Sequence, residues 1–239
     1  PPTMPPLRIH LLSMDPTFAT TLQTHLPSPP PPSFPHITLH PCALHALPST
    51  LTFATILSPA NSHGRLDGGF DDAISRFFSP SADYMALTHH VQSQLYANWR
   101  GYLPPGHCEI VRIPDAFVPG SKNVWGAKYV AVCPTMRVRR DARWDREIVY
   151  NCVWSFLAAV ERHNRGVEEG MDGERIGSVL MTPLATGCGG VSAERWARQL
   201  VLALRHWGEA GEEEGKGWKG LDLLQAMGPA REVEGTWGV

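Results

Sequence analysis

Twice in this chain an apolar strand pattern runs into a glycine-rich loop and then into an amphipathic helix. The first passage is residues 51–57, then Ser58-Pro59-Ala60-Asn61-Ser62-His63-Gly64-Arg65-Leu66-Asp67-Gly68-Gly69-Phe70, then a helical pattern over 71–78. The second is a buried-strand pattern over 176–181, then Thr182-Pro183-Leu184-Ala185-Thr186-Gly187-Cys188-Gly189-Gly190-Val191-Ser192, then a helix over 193–207 with Ser192 as its N-cap. In an open α/β sheet, ligands sit outside the carboxyl ends of strands, where such loops lie. Glycines let backbone approach a ligand without an intervening Cβ. The first amides of a helix have no intrahelical partner and can bind phosphate. Two such loops on one sheet edge suit a diphosphate.

These residues are similar to a known family, the macrodomains. Its first loop commonly reads Asn-Ala-Ala-Asn, a variable stretch, then Gly-Gly-Gly-Val-Asp; here stand Ser58-Pro59-Ala60-Asn61 and Gly68-Gly69-Phe70-Asp71. Its second loop resembles Pro-Ala-Ile-Gly-Thr-Gly, against Pro183-Leu184-Ala185-Thr186-Gly187 here. A third landmark is the strand ending Tyr129-Val130-Ala131-Val132-Cys133-Pro134. A microbial and fungal subgroup reads Ser-Pro-Ala-Asn-Ser-Phe-Gly and Ala-Pro-Thr-Met-Arg-Val, which Cys133-Pro134-Thr135-Met136-Arg137-Val138 resembles. The resemblance spans residues 7–207.

The resemblance implies an α/β fold with a mixed, mainly parallel sheet sandwiched between helices. It implies ADP-ribose as ligand and, in many members, hydrolysis at the distal ribose. Candidate substrates are ADP-ribose 1″-phosphate and mono-ADP-ribosylated macromolecules, so the activity would be that of a phosphatase or an ADP-ribosyl hydrolase. ADP-ribosylated protein or nucleic acid would then be partners. Carried over residue by residue, Asn61 and Asp71 are the candidate catalytic residues: Asn61 holds the distal ribose, and Asp71 positions or activates water. Pro59, Ala60, Asn61, Gly68, Gly69, Phe70, Ala185, Thr186, Gly187, Cys188, Gly189, Gly190 and Val191 are the candidate ligand-binding residues. No metal or cofactor is called for, since fixed amide dipoles supply the electrostatics.

The residues also admit plainer roles. Asn61 can turn its own loop by local hydrogen bonds. Asp71 can favour a helix dipole, and Asp72 reads as part of that helix. Asp67 and His63 are the next candidates for acid or base. Cys188 offers a thiol, but no motif supplies a histidine partner, so its amide is the useful part. The adjacent His89 and His90 point apart on a helix and make no zinc site. Arg137, Arg139, Arg140 and Arg143 form a basic cluster that reads as a solvated loop, or as a contact for an acidic partner. One family feature is missing: the Asp expected seven positions before Asn61 is Ala54. That leaves Asp15 or shape alone to read adenine. The alternative functions are a non-catalytic reader of ADP-ribosylated partners and a nucleotide-metabolite binder with altered base preference.

The 239 residues, 43% hydrophobic, suffice for one sizeable core, and one domain over 1–239 is expected, with a core at 7–207 and an extension at 208–239. A net charge of −2 provides no general field for nucleic acid. Five scattered cysteines fit a reducing compartment, and the opening Pro-Pro-Thr-Met-Pro-Pro is unlike a signal peptide, so a cytoplasmic or nuclear protein without a membrane span is expected. The remaining elements read as a strand at 7–13, a helix at 16–25 capped by Asp15 with Pro16 first, and a polyproline linker at 26–35. Then come strands at 37–39, 108–113 and 128–132, helices at 83–99 and 144–164, loops at 166–173 and 208–220, and a short helix at 221–227 before a loose tail. Trp154 and Trp196 read as core.

Overall fold

A computed structural model describes residues 6–212 and 217–239. The reading of the first residues, and part of that of 208–220, falls outside them. One six-stranded sheet organises the chain, in the order β2-β1-β6-β3-β5-β4. Its strands are β1 (Arg8–Leu12), β2 (His36–His40), β3 (Thr55–Ser58), β4 (Glu109–Arg112), β5 (Tyr129–Val132) and β6 (Ser178–Met181). All neighbours pair in parallel except β4, which runs antiparallel to β5 at one edge. This is the mixed, mainly parallel sheet that the sequence implies.

Helices cover both faces, which is why the inner strands are apolar on both sides. Alternate residues feed two cores. Ile9, Leu11, Leu57, Ala131, Val179 and Met181 pack with helices α1 (Pro16–His25), α4 (Ile148–Glu168) and α5 (Ala193–Ala210). Leu12, Ile56, Val130, Val132 and Leu180 pack with α2 (Phe70–Phe78) and α3 (Ala86–Trp99). Asp15 caps α1 through a bond from the Thr17 amide, with Pro16 in its first turn. Ser192 caps α5 by accepting from the Arg195 amide.

Several expectations need correction. The strand read at 51–57 is β3 alone, starting at Thr55. Leu51 closes a turn on Pro48, and Phe53 stacks on Trp125, so the apolar run there serves a packed loop. The helix read from 83 begins at Ala86. The helix read from 144 begins at Ile148, because the Asp145 carboxylate turns the chain by accepting from the Glu147 amide. Its end lies at Glu168, inside what reads as a loop. Buried Asn164 justifies the extra turn: it donates to the Ile176 carbonyl and accepts from the Ile176 amide, pinning the entry to β6. Trp154 is half-buried among Tyr150, Trp207 and Trp218, whereas Trp125 and Trp196 are fully buried.

The C-terminal tail is not loose. Helix α6 (Leu223–Glu234) starts at a capping box between Asp222 and Gln225. Val233 in its last turn and Thr236 just after it are buried. Arg195, in the first turn of α5, donates to the carbonyls of Trp237 and Val239.

Candidate functional site

Parallel pairing brings the carboxyl ends of β1, β6, β3 and β5 to one edge, and a cavity of about 650 Å³ opens there. That is within the usual range of small-molecule sites. Its lining includes Pro59, Ala60, Asn61, Gly68, Gly69, Phe70 and Asp71 from the first loop, and Ala185, Thr186, Gly187, Cys188 and Gly189 from the second. The two glycine loops, more than a hundred residues apart, therefore face one space. Gly190 and Val191 are not brought to it. Gly190 packs against Arg143, and Val191 is 3% exposed in the core.

The second loop closes on itself. The Val191 amide donates to the Ala185 carbonyl, and the Gly190 amide to that of Gly187. Ala185 holds a left-handed conformation, φ 60°. Gly189 is required by close approach: a Cβ there would stand 2.3 Å from the Ala185 carbonyl oxygen. The amides of Thr186, Gly187, Cys188 and Gly189 donate to no backbone carbonyl among the described residues. A row of N–H groups without carbonyl partners suits an anion. Residues 182–192 include no acidic side chain. The Thr186 hydroxyl is turned inward, donating to the Pro183 carbonyl.

The first loop is richer in side chains. Gly69 takes φ 59° to start α2, and the amides of Gly69 and Phe70 have no backbone acceptor among the described residues. Asp71, in the first turn of α2, is 7% exposed and accepts from the Ser58 hydroxyl at 2.6 Å. Burial pushes its carboxyl up to about 7, against the lowering effect of the Ser58 bond, and nearby Asp67 adds to the rise. Asn61 uses both ends of its amide in the loop, with one of its two N–H groups committed. It donates to the Arg65 carbonyl at 2.9 Å, and its oxygen accepts from the His63 amide at 3.0 Å. The local turn role is thus present in the structure, and the same residue lines the cavity.

The other candidates separate cleanly. Asp67 reaches the cavity but is ion-paired to Arg65. Asp72 faces Arg76 and Tyr84 on α2, outside the cavity lining. His63 points to the Gly101 carbonyl and Tyr102, not to the cavity. The Cys188 thiol lies 3.8 Å from the Met136 sulfur, with no histidine in the cavity lining. Among the described residues, no cluster of three or more His, Cys, Asp or Glu could hold a metal ion. No described helix is long and apolar enough to cross a membrane.

The adenine argument built on Ala54 does not survive. Ala54 precedes β3, at the far end of the strand from the cavity, and its amide donates to the Ser178 hydroxyl. The residues that reach the cavity from the β1–α1 turn are Ser13, Met14 and Asp15, with Phe18 behind them. Sequence reasoning also missed Arg65, Thr135, Met136 and Arg139 as lining residues. Thr135 and Met136 lie within the subgroup motif at 133–138, just after the third landmark, so the signal was there. An isolated bridge pairs Met136 with Asn61, placing that segment beside the first loop.

The family model described as Macro domain matches residues 57–200, more than half of the chain. No curated protein matches it. Among solved structures, the Oceanobacillus iheyensis macrodomain with ADP is 18% identical, covering 71% of this chain and 75% of that one, with a TM-score of 0.49. The same protein with MES bound is 16% identical over 78% and 86%, TM-score 0.48. The macrodomain of Mycobacterium tuberculosis DarG is 18% identical over 66% and 86%, TM-score 0.43. With its loops, landmarks and strand order in place, and with the family model matched across both loops, the chain belongs to the macrodomain family.

Proposed function

We propose that this protein binds ADP-ribose and hydrolyses derivatives substituted at its 1″ position. The observation that carries the reading is the meeting of two strand–glycine–helix loops with unpaired amides around one cavity that also contains a buried carboxyl. Family membership supports the ligand. The diphosphate lies along the second loop, whose amides are unpaired and which has no acid to repel it. The distal ribose lies at Asn61 and Gly68, beside Asp71.

Asp71 acts as the base. With its carboxyl raised to about 7, it is poised to accept a proton near neutral pH. Water adds to C1″ as the bond from C1″ to the substituent oxygen breaks. One water proton passes to Asp71 and then to the departing oxyanion; the remaining O–H becomes the 1″ hydroxyl of ADP-ribose. The Ser58 hydroxyl, donating to Oδ1, holds the carboxylate in place and leaves Oδ2 for the water.

A calorimetric titration tests the binding step. ADP-ribose should bind, and adenosine far more weakly, because adenosine engages neither loop. Equal affinities would overturn the reading. If ADP-ribose binds but neither ADP-ribose 1″-phosphate nor a mono-ADP-ribosylated protein is turned over, the protein is a reader and not a hydrolase.

A further inference from the structure

Two guanidinium groups line the cavity, those of Arg65 and Arg139, and a third, Arg143, lies nearby against the second loop. Arg65 is tied to Asp67, with Nε 2.8 Å from the carboxylate. Arg143 packs on Gly190 and is tied to Asp141, again at 2.8 Å from Nε. Arg139 differs: it lines the cavity and has no ion-pair partner among the described residues. Its Nη1 lies 3.3 Å from where a Cβ on Gly68 would stand. The missing side chain at 68 is what lets the guanidinium lie against the first loop.

The segment carrying Arg139 is fixed to both loops. The Ala142 amide donates to the Gly189 carbonyl, and the Ser62 amide donates to the Met136 carbonyl. The Arg140 amide lies 3.3 Å from the Met136 sulfur. So the cation lies against Gly68 in the first loop, the position that the proposed reading gives to the distal ribose. When ionised, the Asp71 carboxylate in the first turn of α2 disfavours further negative charge on a ligand, whereas Asp67 is already offset by Arg65. An unpaired guanidinium lying against Gly68 of the same loop counters that repulsion, and its planar fork matches a phosphate.

We propose that Arg139 makes the site selective for an anionic 1″ substituent, a phosphate monoester, over a neutral 1″ acyl ester. The inference rests on the proposed function, with the distal ribose at Asn61 and Gly68. With the phosphate substrate, one water is consumed and ADP-ribose and orthophosphate are released. Arg139 moves no proton; it binds the phosphate oxygens and steadies the charge they keep as the C1″–O bond breaks.

The test uses Arg139→Gln, an exposed position where the fold should be unaffected. For wild type and variant, kcat/KM is measured on ADP-ribose 1″-phosphate and on 1″-O-acetyl-ADP-ribose, and the affinity for ADP-ribose by calorimetry. The preference for phosphate over acetyl should fall roughly 10- to 100-fold, the worth of a charged hydrogen bond. Affinity for ADP-ribose should change by less than about threefold, because ADP-ribose lacks the 1″ substituent that Arg139 is proposed to bind. Arg139→Lys should retain part of the preference, since a point charge remains. Equal losses on both substrates, or none, would overturn the proposal while leaving ADP-ribose binding intact. If neither substrate is turned over, the same preference is read from equilibrium binding of the two compounds. Failure of wild type to bind ADP-ribose would instead remove the reading beneath it, and this inference with it.

Discussion

The two glycine loops have the same strand–loop–helix plan and opposite contents. The second is made of backbone: amides without carbonyl partners, a hydroxyl turned inward, no acid. The first is made of side chains: an amide spent on its own turn, a buried carboxyl on a serine, an ion pair at the rim. A surface of fixed dipoles binds an anion whatever the pH. A buried carboxyl changes charge near neutrality. The same plan thus yields a binding half and a reactive half, and the difference lies in the side chains that flank the glycines.

The comparison breaks first at Asp71. Asp71→Asn keeps the shape and the bond from Ser58, and should lower turnover by ~100- to 10,000-fold, the usual share of a positioned base. ADP-ribose affinity should change far less. In wild type, kcat/KM should rise with pH as Asp71 ionises and level off above about 7. Full activity in the asparagine variant would make Asp71 a helix-start residue only, with Asp67 and Asp15 the remaining acids in the cavity lining.

The same substitution sharpens the contrast through stability. A folded-state value of about 7, above the unfolded 3.8, means the folded form binds the extra proton between them. Wild-type stability from this group is therefore full at low pH and is lost as pH rises from near 4 to near 7. Asn at 71 carries no such penalty. The variant should match wild type at acid pH and gain on it as pH rises, by up to about 4 kcal/mol at pH 8. Urea unfolding at pH 5 and pH 8 measures this; a pH-independent difference would mean the carboxyl is not held out of water.

The smaller effect belongs to the second loop. Gly187 has open space where a Cβ would stand, so Gly187→Glu should fold normally and place a charge in the diphosphate's path. ADP-ribose affinity should drop roughly tenfold or more, with an unchanged melting temperature. Gly189 is the poorer choice, because any side chain there strikes the Ala185 carbonyl and the fold suffers with the ligand. Unaltered affinity in the 187 variant would place the diphosphate elsewhere.

Most of the fold was legible in the sequence wherever local pattern and tertiary role agree. β6 and the start of α5 declare themselves by apolar periodicity and Ser192. The run at 51–54 misled because an apolar stretch says that side chains are buried, not that the backbone pairs. Asn164 kept α4 going for a reason no periodicity carries, a bond to a strand entry twelve residues on. The brace on α6 was half visible, since Asp222 and Gln225 have capping-box spacing, while the Arg195 bonds to the tail have no local signature. The site divided the same way. Glycines before helices announce themselves. Arg139 read as one of several solvated arginines, and Ala54 was assigned by counting positions where the strand's direction was needed.

The closed second loop has a consequence for how affinity arises. Residues 186–189 are held by the 185–191 and 187–190 bonds and by the Ala142 amide on Gly189 before any ligand arrives. Fixing a residue's backbone costs about 1–2 kcal/mol in lost entropy, so ordering four of them costs on the order of 4–8 kcal/mol. Here that cost is met once, when the chain folds, by packing in the core beneath the loop. A diphosphate entering the loop has none of it left to overcome.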